Sequence, residues 1–164
     1  MKALILSFAV LTVSLAASAQ TMETRRIKRE MIERTFTMEN TILEASAFFK
    51  AMKLKEGCEK IVQLQIQAPA HMLDIYSYMT PYKKKIVQMQ DDSLEIVRGI
   101  DLLKRDCANG PSFDKVDPTL NVRVLGEYKK EIRKHRKIIA KYDTNSRYDV
   151  DLTVNGHRYY RHQR

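Results

Sequence analysis

Residues 117–142 read DPTLNVRVLGEYKKEIRKHRKIIAKY, and this stretch decides the fold. Asp117 before Pro118 is a helix start: the carboxylate accepts from the first free backbone amides, and proline at the first helical position lacks an N–H that would have had no partner. Beyond it Leu125, Tyr128, Ile132, His135, Ile139 and Tyr142 recur at helical spacing on one face, while Lys and Arg crowd the others. An amphipathic helix of this kind needs an apolar surface to bury its stripe. The preceding residues supply three more such stripes.

The first runs from Met22 to about Leu54 through Ile27, Met31, Met38, Ile42, Ala45, Phe49 and Met52. Thr35, Thr37, Asn40 and Thr41 weaken its middle. Thr41-Ile42-Leu43-Glu44 fits a capping box, which leaves a break near residue 40 as an alternative. Lys55-Glu56-Gly57 reads as a turn, and the second stripe follows through Ile61, Leu64, Met72, Ile75 and Met79, with Pro69 expected to kink it. Thr80-Pro81 opens a third helix through Ile86, Met89, Val97, Ile100 and Leu103, which Asn109-Gly110-Pro111 closes. After residue 142 the period drops to two. Val150, Leu152 and Val154 alternate with Asp149, Asp151 and Thr153, and Asn155-Gly156 supplies a hairpin turn.

Short connections favour antiparallel neighbours, so the expected fold is all-α: an up-down-up-down four-helix bundle with a short C-terminal β-hairpin. Cys58 opens the second helix and Cys107 ends the third, so folding that pair at its turn brings the two thiols level and one disulfide is expected. Export fits this chemistry. Met1 and Lys2, the apolar run Ala3 to Leu15, and Ala17-Ser18-Ala19 before Gln20 have the layout of a cleaved signal peptide, and the run is shorter than the roughly 20 residues a spanning helix needs. The expected organisation is therefore a signal peptide over 1–19, a helical bundle over 20–142 and a basic, Tyr-rich hairpin tail over 143–164. The mature chain is expected to be periplasmic or secreted, with no transmembrane segment.

The chain has 164 residues, 29 Lys and Arg against 20 Asp and Glu, 5 Gly, 4 Pro and no Trp; that length holds one ordinary domain, and the scarcity of Gly and Pro excludes collagen-like and turn-rich β folds. The charge is unevenly placed. Residues 20–122 carry 16 positive against 15 negative side chains, and residues 123–164 carry 12 against 5. An antiparallel bundle would set Arg25, Arg26, Lys83, Lys84 and Lys85 at the same end as Arg158, Tyr159, Tyr160 and Arg161, a basic pole with aromatic faces for a polyanion.

Catalytic motifs are absent from the sequence: no Cys-x-x-Cys, phosphate loop, His-Glu-x-x-His or Gly-x-Ser-x-Gly occurs. The histidines at 71, 135, 157 and 162 never fall at helical metal spacing from one another, and the last two lie on opposite faces of the expected hairpin, so no metal site and no cofactor is expected. One pair stands apart. Met31 and His135 fall inward near neighbouring helix ends, the layout by which small b-type cytochromes hold haem, although the basic fourth helix and the hairpin do not fit such a protein.

The expectation is thus an exported, non-enzymatic binding protein whose basic pole and hairpin engage an anionic envelope polymer, a lipid headgroup or a protein partner, with nucleic acid less favoured and a second copy of the chain a further partner. The alternatives are an assembly subunit that uses the hairpin for strand addition and a haem or redox carrier.

Overall fold

The computed structural model describes residues 2–79, 84–108, 113–142, 152–154 and 157–159, with the backbone alone for 2–21 and for the last two segments. Four helices make up the fold: α1 (Lys2–Lys50), α2 (Leu54–Tyr78), α3 (Lys84–Ala108) and α4 (Pro118–Lys141). The chain divides into two compact units, one of residues 31–141 and one of residues 1–30 with 142–164. In the second unit the Lys28 ammonium donates to the Tyr142 carbonyl at 3.0 Å. The backbones of β1 (Leu152–Val154) and β2 (His157–Tyr159) pair antiparallel, with Leu152 opposite Tyr159. The remainder of the expected tail, like the helix signals at Thr80-Pro81 and Asn109-Gly110-Pro111, lies outside the described residues.

Within the unit of residues 31–141, side-chain contacts fix the helix directions. Lys60 pairs with Glu44 and Arg34 with Asp74, so residue numbers rise in α2 as they fall in α1. Cys58 is bonded to Cys107 and Gln65 donates to Asp101, which sets α2 and α3 antiparallel. Lys134 pairs with Asp92, and the Tyr128 ring lies against Gly99, which does the same for α3 and α4. Arg136 and Arg133 on α4 meet Glu39 on α1 and close the ring of four. The core runs along the axis through Met38, Ile42, Phe49, Ile61, Leu64, Ile100, Leu125 and Ile132. The disulfide expected between Cys58 and Cys107 is present, with the Cα atoms 5.6 Å apart.

The alternative of a break near residue 40 is decided in favour of one helix, and several local expectations are corrected. Helix α1 is continuous through residue 40, because the Thr35, Thr37 and Thr41 hydroxyls donate back to the carbonyls of Ile32, Glu33 and Thr37 instead of capping a new helix. Met52 belongs to no stripe. It is exposed, with a left-handed φ of 58°, and ends α1: its own N–H donates to the Phe49 carbonyl and that of Lys53 to the Phe48 carbonyl, the paired bonds of a Schellman cap. Gly57 lies inside α2 and not in a turn, since the buried Phe49 ring rests directly on it. In the second stripe His71 is buried and Met72 is only partly so: the helix face that holds Ile61, Leu64, Ala68 and Ile75 continues through residue 71. Helix α2 runs unbroken on both sides of Pro69. The helix start at Asp117 is as read from sequence, with its carboxylate accepting from the amides of Thr119 and Leu120 at 2.9 and 3.0 Å.

Candidate functional site

The stripe that places Leu125, Ile132 and Ile139 in the core also places His135 there, wholly buried, and the matching stripe of α2 buries His71. The two meet inside the bundle. Their rings stack 5.4 Å apart, and His71 Nε2 lies 3.1 Å from His135 Nδ1. Neither ring has a hydrogen-bond partner on its other nitrogen, His71 Nδ1 or His135 Nε2. Burial holds both rings in the neutral form. His71 is lowered to about 3, with the neighbouring His135 and Arg34 adding to the effect, and His135 to about 4, where burial and Lys134 outweigh the attraction of Asp92.

His135 Nε2 looks toward a pair of carboxylates. Asp92 Oδ2 on α3 is 3.8 Å away, too far for a hydrogen bond, and Glu131 stands one turn before His135 on α4. One donor atom from each of Asp92, Glu131 and His135 falls within 4.8 Å of the others. The Lys134 ammonium bridges the two carboxylates, 3.2 Å from Asp92 and 2.9 Å from Glu131, and Gln88 donates to the second Asp92 oxygen at 2.7 Å. Burial works to raise the Asp92 pKa, but the Gln88 and Lys134 hydrogen bonds outweigh it and hold the carboxyl below its ordinary range. Lys134 is correspondingly raised, chiefly by Glu131.

A second polar cluster ties α4 to α1. Glu39 is nearly buried and accepts from Arg133 Nε and from Arg136 at 2.5 Å each; Arg136 also donates to the Thr35 hydroxyl and carbonyl and lies 3.5 Å over the Phe36 ring. Burial alone would raise the Glu39 pKa, and the two guanidinium groups lower it past that effect. One carboxylate is shared by two guanidinium groups across the α1–α4 contact, so the cluster reads as a structural clamp.

Helix α4 concentrates positive charge. Helix α4 carries eight Lys and Arg against Glu127 and Glu131, and among the described residues no ion pair engages Arg123, Lys129, Lys137 or Lys141. The antiparallel register that sets Lys134 opposite Asp92 puts the first turn of α3, with exposed Lys84 and Lys85, level with the last turn of α4, with exposed Lys137 and Lys141.

Of the other residues expected at a basic pole, Arg25 and Arg26 are exposed on α1 in the unit of residues 1–30 and 142–164, where Arg26 pairs with Glu23 and Glu30. Arg158 and Tyr159 are described as backbone of β2, and Lys83, Tyr160 and Arg161 lie outside the described residues. Met31 is buried on α1. A surface cavity of about 520 Å³ lies between α3 and α4, with Leu102, Leu120, Val124 and Tyr128 on its wall beside Arg105 and Asp106. Among the described residues no helix is long and apolar enough to cross a membrane.

Sequence reading did not find the His71, Asp92, Glu131 and His135 cluster. Only one fragment was visible in it: Glu131 and His135 stand four apart, the spacing that puts two side chains on one helix face. The chain matches no protein-family model, no curated protein and no solved structure. Its functional reading therefore rests on the geometry.

Proposed function

We propose that the chain is an exported, non-enzymatic interaction protein, a disulfide-stapled helical bundle whose basic face engages an anionic partner. The observation that carries this reading is the excess of positive charge on α4, eight Lys and Arg against Glu127 and Glu131, of which Arg123, Lys129, Lys137 and Lys141 enter no ion pair among the described residues. Lys84 and Lys85, level with the end of α4, extend that set. Fixed positive charge on a rigid helix attracts polyanions and speeds their encounter, an effect that salt screens. The signal-peptide layout of the first nineteen residues points the protein to the envelope or the outside, where anionic polymers and lipid headgroups are abundant. The tail carries Arg158, Tyr159, Tyr160 and Arg161, residue types that also suit an anionic partner.

The pairing of β1 with β2 favours a second reading, in which the tail adds a strand to a partner's sheet edge; a two-stranded ribbon offers such an edge. Salt separates the two. Retention on heparin, or on vesicles containing an anionic lipid, should fall steeply with ionic strength. Replacing Lys84, Lys85, Lys137 and Lys141 with Gln should move elution to markedly lower salt. Unchanged elution of that variant rejects the basic-face reading, and salt-insensitive capture that disappears with the tail favours strand addition.

A further inference from the structure

We propose that Asp92, Glu131 and His135 form a binding site for a divalent transition-metal ion of the zinc type, with His71 holding the imidazole in its ligating orientation. Three donors converge there from two helices, all within 4.8 Å of one another. Ligands around a zinc ion stand about 3.4 Å apart, given metal–ligand bonds of roughly 2.1 Å, so a contraction of at most about 1.4 Å closes the site. The outermost member can supply it, since the Glu131 side chain is partly exposed and is held by the half-exposed Lys134 ammonium, which the metal displaces.

The independent observation is the orphaned nitrogen. His135 is wholly buried, and its Nε2 points at the carboxylates without a hydrogen-bond partner. A neutral imidazole carries one N–H. When His135 holds it on Nδ1 it donates to His71 Nε2 across 3.1 Å, and Nε2 is left as a bare lone pair facing Asp92 and Glu131. Three acceptors then converge, and none of them supplies a proton to the others. Lys134 answers only part of this arrangement: its ammonium reaches both carboxylates and leaves His135 Nε2 unpaired. A dication at the centre satisfies all three.

The surrounding groups have the form that metal sites use. A ligating histidine donates its other ring N–H to a neighbour that fixes its tautomer, the part played here by His71, and ligating carboxylates are themselves hydrogen-bonded, as Asp92 is to Gln88 at 2.7 Å. One imidazole with two carboxylates suits zinc, manganese or iron(II) better than calcium or magnesium, which prefer all-oxygen sets. Lys134 is the competitor. A bound dication takes over its carboxylates and sends the half-exposed ammonium to solvent.

The test is titration of the full chain, stripped with a chelator, with zinc chloride by calorimetry and with cobalt(II) by its visible ligand-field bands, the fold being checked by circular dichroism. One ion should bind per chain. Asp92→Asn and Glu131→Gln should each weaken binding at least tenfold, and Lys134→Ala should tighten it. The paired variant His157→Gln with His162→Gln should leave it unchanged. Absence of binding overturns the proposal, and so does binding that survives Glu131→Gln, that disappears with the tail histidines, or that Lys134→Ala leaves unchanged or weakens.

Discussion

Glu39 shows how a single side chain holds two helices in this bundle. Its carboxylate is almost wholly removed from water and takes charged hydrogen bonds from Arg133 and Arg136, so it is stabilised as an anion where burial alone would neutralise it. Glu39→Gln keeps the shape, removes the charge and leaves one acceptor oxygen where Arg133 and Arg136 each have their own. The variant should lose about 2 kcal/mol in urea unfolding, within the range for hydrogen bonds to charged groups. The buried histidine pair makes a different prediction, in pH. Both folded pKa values, about 3 for His71 and about 4 for His135, lie below the unfolded value of 6.5. Above 6.5 both states are neutral and these rings contribute no pH dependence. Below it only the unfolded chain binds protons, so stability falls as the pH falls, approaching about 1.4 kcal/mol per unit for each histidine, until the folded rings protonate near 4 and 3. The window from pH 6.5 to 5 isolates this effect, because ordinary carboxylates are still ionised there. Urea midpoints of the metal-free protein that stay level across that window would reject the assignment of neutral buried rings.

At the scale of the element, helix ends and close approaches decide more than propensity does. Met52 sits in a left-handed conformation that costs a residue with a Cβ about 1 kcal/mol, and its exposed side chain covers nothing. Met52→Gly should therefore stabilise the protein by about 1 kcal/mol, seen as a higher thermal midpoint. Gly57 gives the opposite sign. A Cβ there would come within 2.6 Å of the Phe49 ring, which is wholly buried in the core, so Gly57→Ala should cost about 2 kcal/mol despite alanine's better helix propensity. Measured together in thermal unfolding, the two variants should shift the midpoint in opposite directions. Sequence alone treated these two positions the wrong way round. Lys55-Glu56-Gly57 carried the stronger turn signal, and the helix end at Met52 was hidden because a Schellman cap is set by backbone hydrogen bonds that any residue able to tolerate the left-handed conformation can complete.

For the molecule as a whole, the disulfide is the largest single constraint. It joins residues 49 apart at the far ends of the α2–α3 hairpin, and in the chain-entropy model closing a loop of that length stabilises by about 4 kcal/mol. Replacing Cys58 and Cys107 together with Ala should lower unfolding stability by about that amount, and reductant should then have no further effect on the variant. Such a margin is a large share of the stability of a small domain, which suits a bundle that buries two histidines and an ionised glutamate in its interior.

The sequence by itself determined the four helices, their antiparallel order and the cysteine pair, because apolar periodicity, proline and capping residues are local signals and short connections leave few ways to pack the stripes. The accumulation of charge in the last helix was equally legible, being a matter of composition. Only the tertiary structure decided that α1 continues past residue 40, where threonine hydroxyls have a choice between capping and bonding back along the helix. Only it decided that His71 and not Met72 enters the core, because the helix register is set by what packs on the other side. The meeting of His71, Asp92, Glu131 and His135 was decided the same way. These four come from three helices and span 64 residues of sequence; the helix spacing joins Glu131 to His135, and only helix packing brings His71 and Asp92 to them.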